Sequence, residues 1–407
     1  MNLTRRQFTG LLALGGSASI VPRDAWSEAD VDRLLNLPPL PPAPASPDER
    51  YWSEIRNQFV LPSDLAFFNA ANLCPASMPV IEAAARGTRA LDQDPSPTVK
   101  GRLQQERETA RQRIAAFLRV SPEEVVITRN TSEANNLVSS GIDLKAGDEV
   151  VIFADNHPSN HAAWREKARR FGFTVKIVDQ VNPHPGPDYY VEAFARAMTP
   201  RTKIIGFSHV TNTVGDLLPA KALCALAHER GALVLVDGAQ TFGVLDVDLS
   251  DIQPDFYTGS AHKWPCGPRE AGLLYVNRRA QERISPSIVS LYGGAVGISR
   301  TLEAMGQRDE PAMIGFGEAM DFETKIGSAT VERRGRELCQ ALVEGLRRID
   351  GVKLWTSPTV ERTGIIVTFQ PGSLDPRRLT AALYDKHHVS LTARGGEDRP
   401  CLRFSPH

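Results

Sequence analysis

The chain has 407 residues, 42% of them hydrophobic and 23% charged, with a formal net charge of −1 at pH 7. Its length supports a large hydrophobic core, and its near-neutral charge gives no electrostatic basis for binding nucleic acid or an anionic membrane. The five cysteines are widely scattered, which predicts free thiols, with one bridge left open, and no metal-binding cysteine pair: Cys74, Cys224, Cys266, Cys339 and Cys401.

The first residues resemble an export signal. Residues 4–8, Thr-Arg-Arg-Gln-Phe, are a twin-arginine signature, and the apolar stretch 9–21 is too short to span a bilayer as a stable helix. A chance arginine pair at a disordered terminus is the alternative. We expect a signal peptide over residues 1–27 for the twin-arginine export machinery, no stable membrane anchoring, and a periplasmic protein. Residues 28–60 contain the proline-rich stretch 37–44, which predicts an extended linker.

Short apolar runs alternate with helical patterns over residues 61–285. The predicted strands are 125–128, 149–153, 174–178, 203–208, 232–236 and 272–276, and the predicted helices are 104–117, 132–140, 160–170, 190–197 and 220–230. Because these strands are apolar without alternation, we expect a large α/β domain whose mostly parallel sheet has helices on both faces.

Residues 286–407 have a different character and predict a smaller α+β domain. A loop-rich segment leads to a helical stretch over 316–348. The remaining predicted elements are strands over 364–369 and 389–392 and a helix over 376–387.

The strongest functional signal joins two segments. An apolar strand ends at Asp237 (Val-Leu-Val-Asp-Gly-Ala-Gln), and a turn of small residues leads to Lys263 (Gly-Ser-Ala-His-Lys-Trp). A buried carboxylate can keep a pyridine nitrogen protonated, and a lysine amine can form a Schiff base. Ser260 and His262 can contact a phosphate. These are the groups that pyridoxal 5′-phosphate (PLP) needs, although a lone lysine after a turn is usually solvated.

These segments and several others occur in the order found in class-V aminotransferases. The chain resembles this family of fold-type I PLP-dependent enzymes, and most closely its isopenicillin N epimerase-like branch, from residue 60 to the C-terminal end. The resemblance implies a homodimer with shared active sites and PLP as cofactor. The family continues past the segment Arg403-Phe-Ser with a turn and a last helix, so we expect a truncated or unusually short C-terminal end.

The resemblance implies a set of phosphate ligands. Thr131 and Ser132 open a helix after a strand, where the positive helix end favours an anion; an ordinary helix cap is the alternative. Ser260 and His262 contact the same phosphate. Gln307 lies in a loop that reaches the partner subunit's phosphate in the family, where threonine is usual; a plain surface loop is the alternative.

The resemblance also assigns the residues around the cofactor ring. His157 lies flat over the pyridine ring, and Asp237 pairs with its nitrogen. Gln240 donates to the phenolate oxygen. Lys263 holds the cofactor as a Schiff base and shuttles the Cα proton of the substrate.

Three further residues are expected near the substrate. Asn212 matches a family asparagine near the cofactor oxygen and the substrate carboxylate, and Asn72 matches a weaker substrate contact. Both could instead be turn-forming asparagines. Arg403 matches the arginine that grips the substrate α-carboxylate with two parallel hydrogen bonds.

No metal site is predicted. His157 and His161 have the spacing of two ligands on one helix face, but Pro158 falls between them and no third ligand stands out.

We expect amino-group chemistry on an α-amino acid or an amino-acid-containing peptide metabolite, most simply transamination. Epimerisation is the alternative, as is the tailoring of a secreted peptide, in the manner of the periplasmic PLP enzymes that modify pyoverdine siderophores. Desulfuration is disfavoured because the loop 392–400 contains no cysteine and Cys401 is close to Arg403. A homologue that only binds a ligand is disfavoured by the complete PLP motif.

Overall fold

The computed structural model describes residues 37–395 and 399–407. The helices are α1 (Glu49–Asn57), α2 (Met78–Gln93), α3 (Pro97–Phe117), α4 (Thr131–Gly141), α5 (Pro158–Phe171), α6 (Pro187–Ala197), α7 (Ala220–Glu229), α8 (Leu249–Ile252), α9 (Ser299–Leu302), α10 (Glu310–Ile326), α11 (Ser328–Leu346) and α12 (Pro376–His387). The strands are β1 (Ala66–Phe67), β2 (Val125–Thr128), β3 (Glu149–Phe153), β4 (Thr174–Val178), β5 (Thr202–Ser208), β6 (Leu233–Asp237), β7 (Phe256–Ser260), β8 (Gly272–Val276), β9 (Val352–Leu354), β10 (Val367–Pro371), β11 (Val389–Ser390), β12 (Thr392–Arg394) and β13 (Cys401–Phe404).

A seven-stranded sheet lies at the centre of the fold, in the order β2-β8-β7-β6-β5-β3-β4. Strand β8 is antiparallel to both of its neighbours, and all other pairs in the sheet are parallel. Every residue of β2, β3, β6, β7 and β8 is buried, as helices on both faces require. The predicted mostly parallel α/β architecture is confirmed.

The parallel strands bring their carboxyl ends to one edge of the sheet. In the register of β5, β6 and β7, Ser208 lies beside Asp237 and Asp237 beside Thr258. Ligands of open α/β sheets bind at this edge. The topology therefore places the ends of β2, β3, β5, β6 and β7 around one region.

A second, four-stranded antiparallel sheet has the order β12-β13-β10-β9. Strands β1 and β11 form a short parallel pair next to it, and Asn69 pairs with Ser405 in an isolated bridge. The segment after β1 is therefore hydrogen-bonded to the segment after β13, so residues far apart in sequence meet near the site.

Several elements differ from the sequence prediction; helices α1 and α2, for example, were not predicted. The helical stretch predicted over 316–348 is two helices, because Gly327, with φ of +89°, ends α10 and precedes α11. Strand β7 was not predicted, since its sequence Phe-Tyr-Thr-Gly-Ser contains polar residues although all five are buried. Its polar residues face the site described below.

The proline-rich stretch packs against the protein. Leu40 is buried, the Gln58 side chain donates to the Pro38 oxygen (3.0 Å), and the Ala43 N–H donates to the Lys325 oxygen (3.2 Å). The predicted signal peptide lies outside the described residues. In the part of the chain that the structure describes, no helix is long and apolar enough to cross a membrane. All five cysteines are buried and unbridged, as predicted.

Candidate active site

The amino end of α4 meets the carboxyl end of β7. The Thr131 N–H donates to Ser260 Oγ (2.9 Å), and the two hydroxyls lie 2.8 Å apart. Asn130 caps α4 through the Glu133 N–H. Thr131 and Ser260 are buried, and the positive end of a helix favours an anion here. Ser132 lies at the same helix end, with its Oγ 3.4 Å from that of Ser159.

Asp237 ends β6 and is held in place on both carboxylate oxygens. Its Oδ2 accepts from Asn135 Nδ2 (2.9 Å) and its Oδ1 from the Ala239 N–H (3.1 Å). Thr258 donates to Asn135 Oδ1 (3.2 Å), which fixes the orientation of the amide. Asp237 is buried, so this carboxylate is well placed to pair with a cationic ring nitrogen.

Lys263 lies in the turn after β7. Its pKa is lowered to about 8, chiefly by burial and in part by the positive charges of Arg403 and Arg394, while the negative charge of Asp237 opposes the shift. A lysine with a lowered pKa has more of the neutral amine that attacks an aldehyde. The backbone oxygen of His262 accepts from the Cys74 N–H (2.8 Å), while its buried Nδ1 has no partner.

His157 caps the amino end of α5 and faces the same region. Its Nδ1 lies 2.7 Å from Ser159 Oγ. Burial lowers its pKa, with a smaller contribution in the same direction from Lys263 and an opposing one from Asp237. His161 instead has its Nε2 3.0 Å from the Ala154 oxygen. This contact occupies one nitrogen of the second histidine considered for a metal pair.

Gln240 connects the lysine turn to the segment after β1. Its Nε2 donates to the Ala71 oxygen (3.0 Å), and Trp264 Nε1 donates to its Oε1 (2.9 Å). One amide hydrogen is left over from these two bonds. The predicted contact of Gln240 with a phenolate oxygen would have to use that hydrogen.

Two arginines of the small sheet complete the site. Arg403 is fully buried; its Nη1 donates to the Asn212 oxygen (2.9 Å) and its Nε has no partner. Arg394 donates to Asn72 Oδ1 (3.2 Å), and its buried Nε also lacks a partner. Burial, and then Arg394, lower the pKa of Arg403 to about 9. An anionic ligand would relieve this concentration of positive charge.

Gln307 lies apart from these residues. It is exposed, its Oε1 accepts from Lys100 Nζ (2.6 Å), and it lines an open cavity of about 650 Å³ with Arg107 and Arg308. The role predicted for Gln307, a contact with the phosphate of the partner subunit, stays a prediction.

The described residues fit PLP. The helix end at Thr131 and Ser260 suits its phosphate, and the unpartnered His262 Nδ1 adds a polar atom in the adjoining turn. Gly272 allows the close approach of β8, since a Cβ there would lie 2.8 Å from Asn130 Cα. Asp237 and Lys263 supply the carboxylate and the amine.

Fold and site together define a PLP-dependent enzyme of fold type I. The family model "Aminotransferase class-V" matches residues 77–400, and the chain belongs to this family. The predicted cofactor, pyridoxal 5′-phosphate, is confirmed.

The curated relatives include two activities. An isopenicillin N epimerase of Amycolatopsis lactamdurans is 31% identical over 375 residues, covering 88% of this chain and 94% of the relative. One of Streptomyces clavuligerus is 29% identical, covering 87% and 93%. A probable cysteine desulfurase of Methanothermobacter thermautotrophicus is 28% identical over 370 residues, covering 84% and 88%.

Solved structures show the same fold. A mutant of C-DES with glycine covalently linked to the PLP cofactor has a TM-score of 0.79 at 24% identity, covering 89% of this chain and 95% of that one. The apo cysteine desulfurase of Thermococcus onnurineus NA1 has a TM-score of 0.78 at 24% identity, covering 87% and 93%.

Sequence reasoning missed two residues of the site. Asn135 lies one helical turn after Thr131, so the i, i+4 spacing could have placed it on the same face of α4. Arg394 is on the face of the small sheet that carries Arg403, because Thr392 pairs with Arg403 and side chains alternate along a strand. That pairing could not be read from the sequence.

Proposed function

We propose that this protein transaminates an α-amino acid or an amino-acid-containing peptide metabolite. The observation that carries the proposal is the buried guanidinium of Arg403, which has no carboxylate partner among the described residues and whose Nε has no hydrogen-bond partner, in the same electrostatic environment as Lys263. A guanidinium of this kind is suited to an α-carboxylate. It would place the Cα–H bond of the substrate within reach of the lysine.

Each residue has a distinct task in this proposal. PLP, when bound, supplies an electron sink that acidifies the Cα–H bond. Lys263, a base whose pKa is lowered to about 8, would take the proton from Cα of the substrate and, in transamination, deliver it to the former aldehyde carbon of the cofactor. Asp237 holds a proton at the ring nitrogen. Arg403 orients the substrate by its α-carboxylate, and His157 covers the ring.

Arg394 supports a substrate with a second anionic group. No carboxylate of the described residues forms an ion pair with Arg394 or Arg403, and one α-carboxylate can balance only one of these charges. Arg403 is fully buried and Arg394 is partly buried, and burying a guanidinium without a counter-ion is costly. We therefore favour acidic amino acids, or peptides that carry a further carboxylate.

Epimerisation is the second candidate, because the two relatives described above with the highest identity are isopenicillin N epimerases. It requires an acid or base on each face of Cα. Desulfuration is less well supported, since the Cys401 Sγ lies 3.1 Å from the Arg394 oxygen and burial raises its pKa to about 11. A thiol in that state is a poor nucleophile.

We also propose a periplasmic homodimer. The location rests on the twin-arginine signature of residues 4–8, and a secreted peptide such as a siderophore would be a natural substrate there. The dimer is supported by exposed apolar side chains, with Val289 86% and Leu291 96% exposed, in a segment that lines the same cavity as Gln307. Large exposed apolar groups often mark interfaces.

Transamination and epimerisation give different products from the same α-deuterated substrates. We expect the PLP-loaded protein, given acidic and neutral α-deuterated L-amino acids, to form the keto acid and the pyridoxamine form of the cofactor, monitored by mass spectrometry and absorbance. Loss of deuterium with inversion and no keto acid would contradict transamination and support epimerisation. Lys263→Ala is the control, in which neither process should occur.

A further inference from the structure

A cluster of three side chains with metal-binding chemistry lies behind the lysine turn. Cys266, Glu323 and His407 come from that turn, from α10 and from the segment after β13, and their ligand atoms all lie within 4.8 Å of one another. Cys266 and Glu323 are each only 2% exposed, and the His407 side chain is 11% exposed. No step of the proposed reaction uses this cluster.

The distance between Glu323 and His407 is longer than a charge-assisted hydrogen bond and fits two ligands of one ion. Glu323 Oε1 and His407 Nε2 are 3.7 Å apart, and the buried Oε2 of Glu323 has no partner. A charge-assisted hydrogen bond would bring such atoms to about 2.7–2.9 Å. Ligand atoms placed tetrahedrally around zinc, at about 2.0–2.3 Å from it, lie roughly 3.3–3.7 Å from each other.

Local structure holds two of the ligands in position. Cys266 has φ of +53°, a left-handed conformation that is unfavourable for a residue with a side chain, and its N–H donates to the Lys263 oxygen (3.0 Å). The His407 ring packs edge-on against Trp264, with centroids 5.6 Å apart. The turn that carries Lys263 therefore also presents the thiol and orients the imidazole.

The donor set selects a class of metal. A thiolate, an imidazole and a carboxylate together suit zinc and the other late first-row transition metals. Magnesium and calcium prefer oxygen ligands alone. A fourth position would face the adjoining cavity of about 330 Å³, which the three ligands line together with Cys74. Water or the Cys74 thiolate could occupy it.

We propose that Cys266, Glu323 and His407 form a binding site for Zn²⁺ or a similar divalent transition-metal ion. The ion binds to the Cys266 thiolate and the neutral His407 imidazole, so the protons that these two groups carry are released to solvent on binding. It joins the turn that carries Lys263 to α10 and to the chain four residues beyond Arg403, and so couples the two halves of the active site.

The test is metal binding to PLP-loaded protein that has first been dialysed against a chelator. We expect one Zn²⁺ per chain with a Kd in the micromolar range or below, and visible d–d bands of tetrahedral geometry when Co²⁺ is added and loss of those bands when Zn²⁺ displaces it. Cys266→Ser and Glu323→Gln should each weaken binding by about 100-fold or more. Cys339→Ser, which removes a buried thiol outside the cluster, is the matched control and should bind like wild type.

Binding in these experiments is independent of turnover, so failure of the proposed reaction would leave the metal result intact. Folded wild-type protein that binds no Zn²⁺, or that gives no tetrahedral Co²⁺ spectrum, would overturn the proposal. So would equal affinity in Glu323→Gln and Cys339→Ser. If Cys266→Ser fails to fold, the Glu323→Gln titration and the wild-type Co²⁺ spectrum decide the question.

Discussion

Replacing Lys263 with alanine should lower kcat/KM by about 10⁴-fold, because in the proposed mechanism this residue supplies both the amine that holds PLP and the base at Cα. Lys263 is the lysine whose pKa is lowered to about 8 by burial beside Asp237. The measurement is steady-state turnover of the substrate found by amino-acid screening, with PLP in excess. Excess cofactor compensates for weaker PLP binding, so the remaining loss of turnover reports the loss of the base.

The matched control for this variant is Lys221→Ala. Lys221 is an exposed lysine whose only described role is an ion pair with Asp251, so its loss should leave turnover within about twofold of wild type. Turnover by Lys263→Ala comparable to that of Lys221→Ala would rule out the assignment of the catalytic base.

Asp237→Ala should retain some PLP but lower kcat by about 10²–10³-fold, the range observed when one pre-organised electrostatic group is removed from an active site. The hydrogen bonds at the proposed phosphate-binding end of the site, around Thr131 and Ser260, do not involve this carboxylate. The ring nitrogen would lose the charge that keeps it protonated. Bound PLP is measured by absorbance after gel filtration, and kcat with the same substrate.

Asp237→Asn separates charge from shape. It preserves the volume of the side chain and an oxygen that can accept from Asn135, but it removes the negative charge. We expect its kcat to fall nearly as far as that of Asp237→Ala. Near-normal turnover in either variant would show that the carboxylate does not hold the ring proton.

The sequence predicted well those elements whose structure is determined by residues close to them in the chain. The bounds of β2, β3 and β8 were predicted correctly because each is a continuous, largely apolar run between turn residues; those of β4 were also correct, although Thr174 and Lys176 interrupt its apolar residues. A local signal of the same kind, a turn of small residues, led to the assignment of Lys263, which stays a prediction. The family model matches residues 77–400 and supports the predicted family and cofactor.

Residues that depend on tertiary packing could not be predicted in this way. Arg394 reaches the site only because β12 pairs with β13, and Glu323 meets His407 only because α10 passes beneath the last residues. Strand β7 was not predicted because it contains polar residues. These residues are buried because they contact other side chains of the site. Periodicity reports burial of apolar groups, so it gives no signal for buried polar ones.

The central claim is that Lys263 carries PLP in this protein. The most direct measurement is reduction of the purified, PLP-loaded protein with borohydride, followed by peptide mapping, which locates the lysine that the cofactor modifies. We predict one phosphopyridoxyl group, on Lys263, and none at a comparable level in Lys263→Ala. A label on another lysine, or an unmodified Lys263 in protein saturated with PLP, would contradict the account.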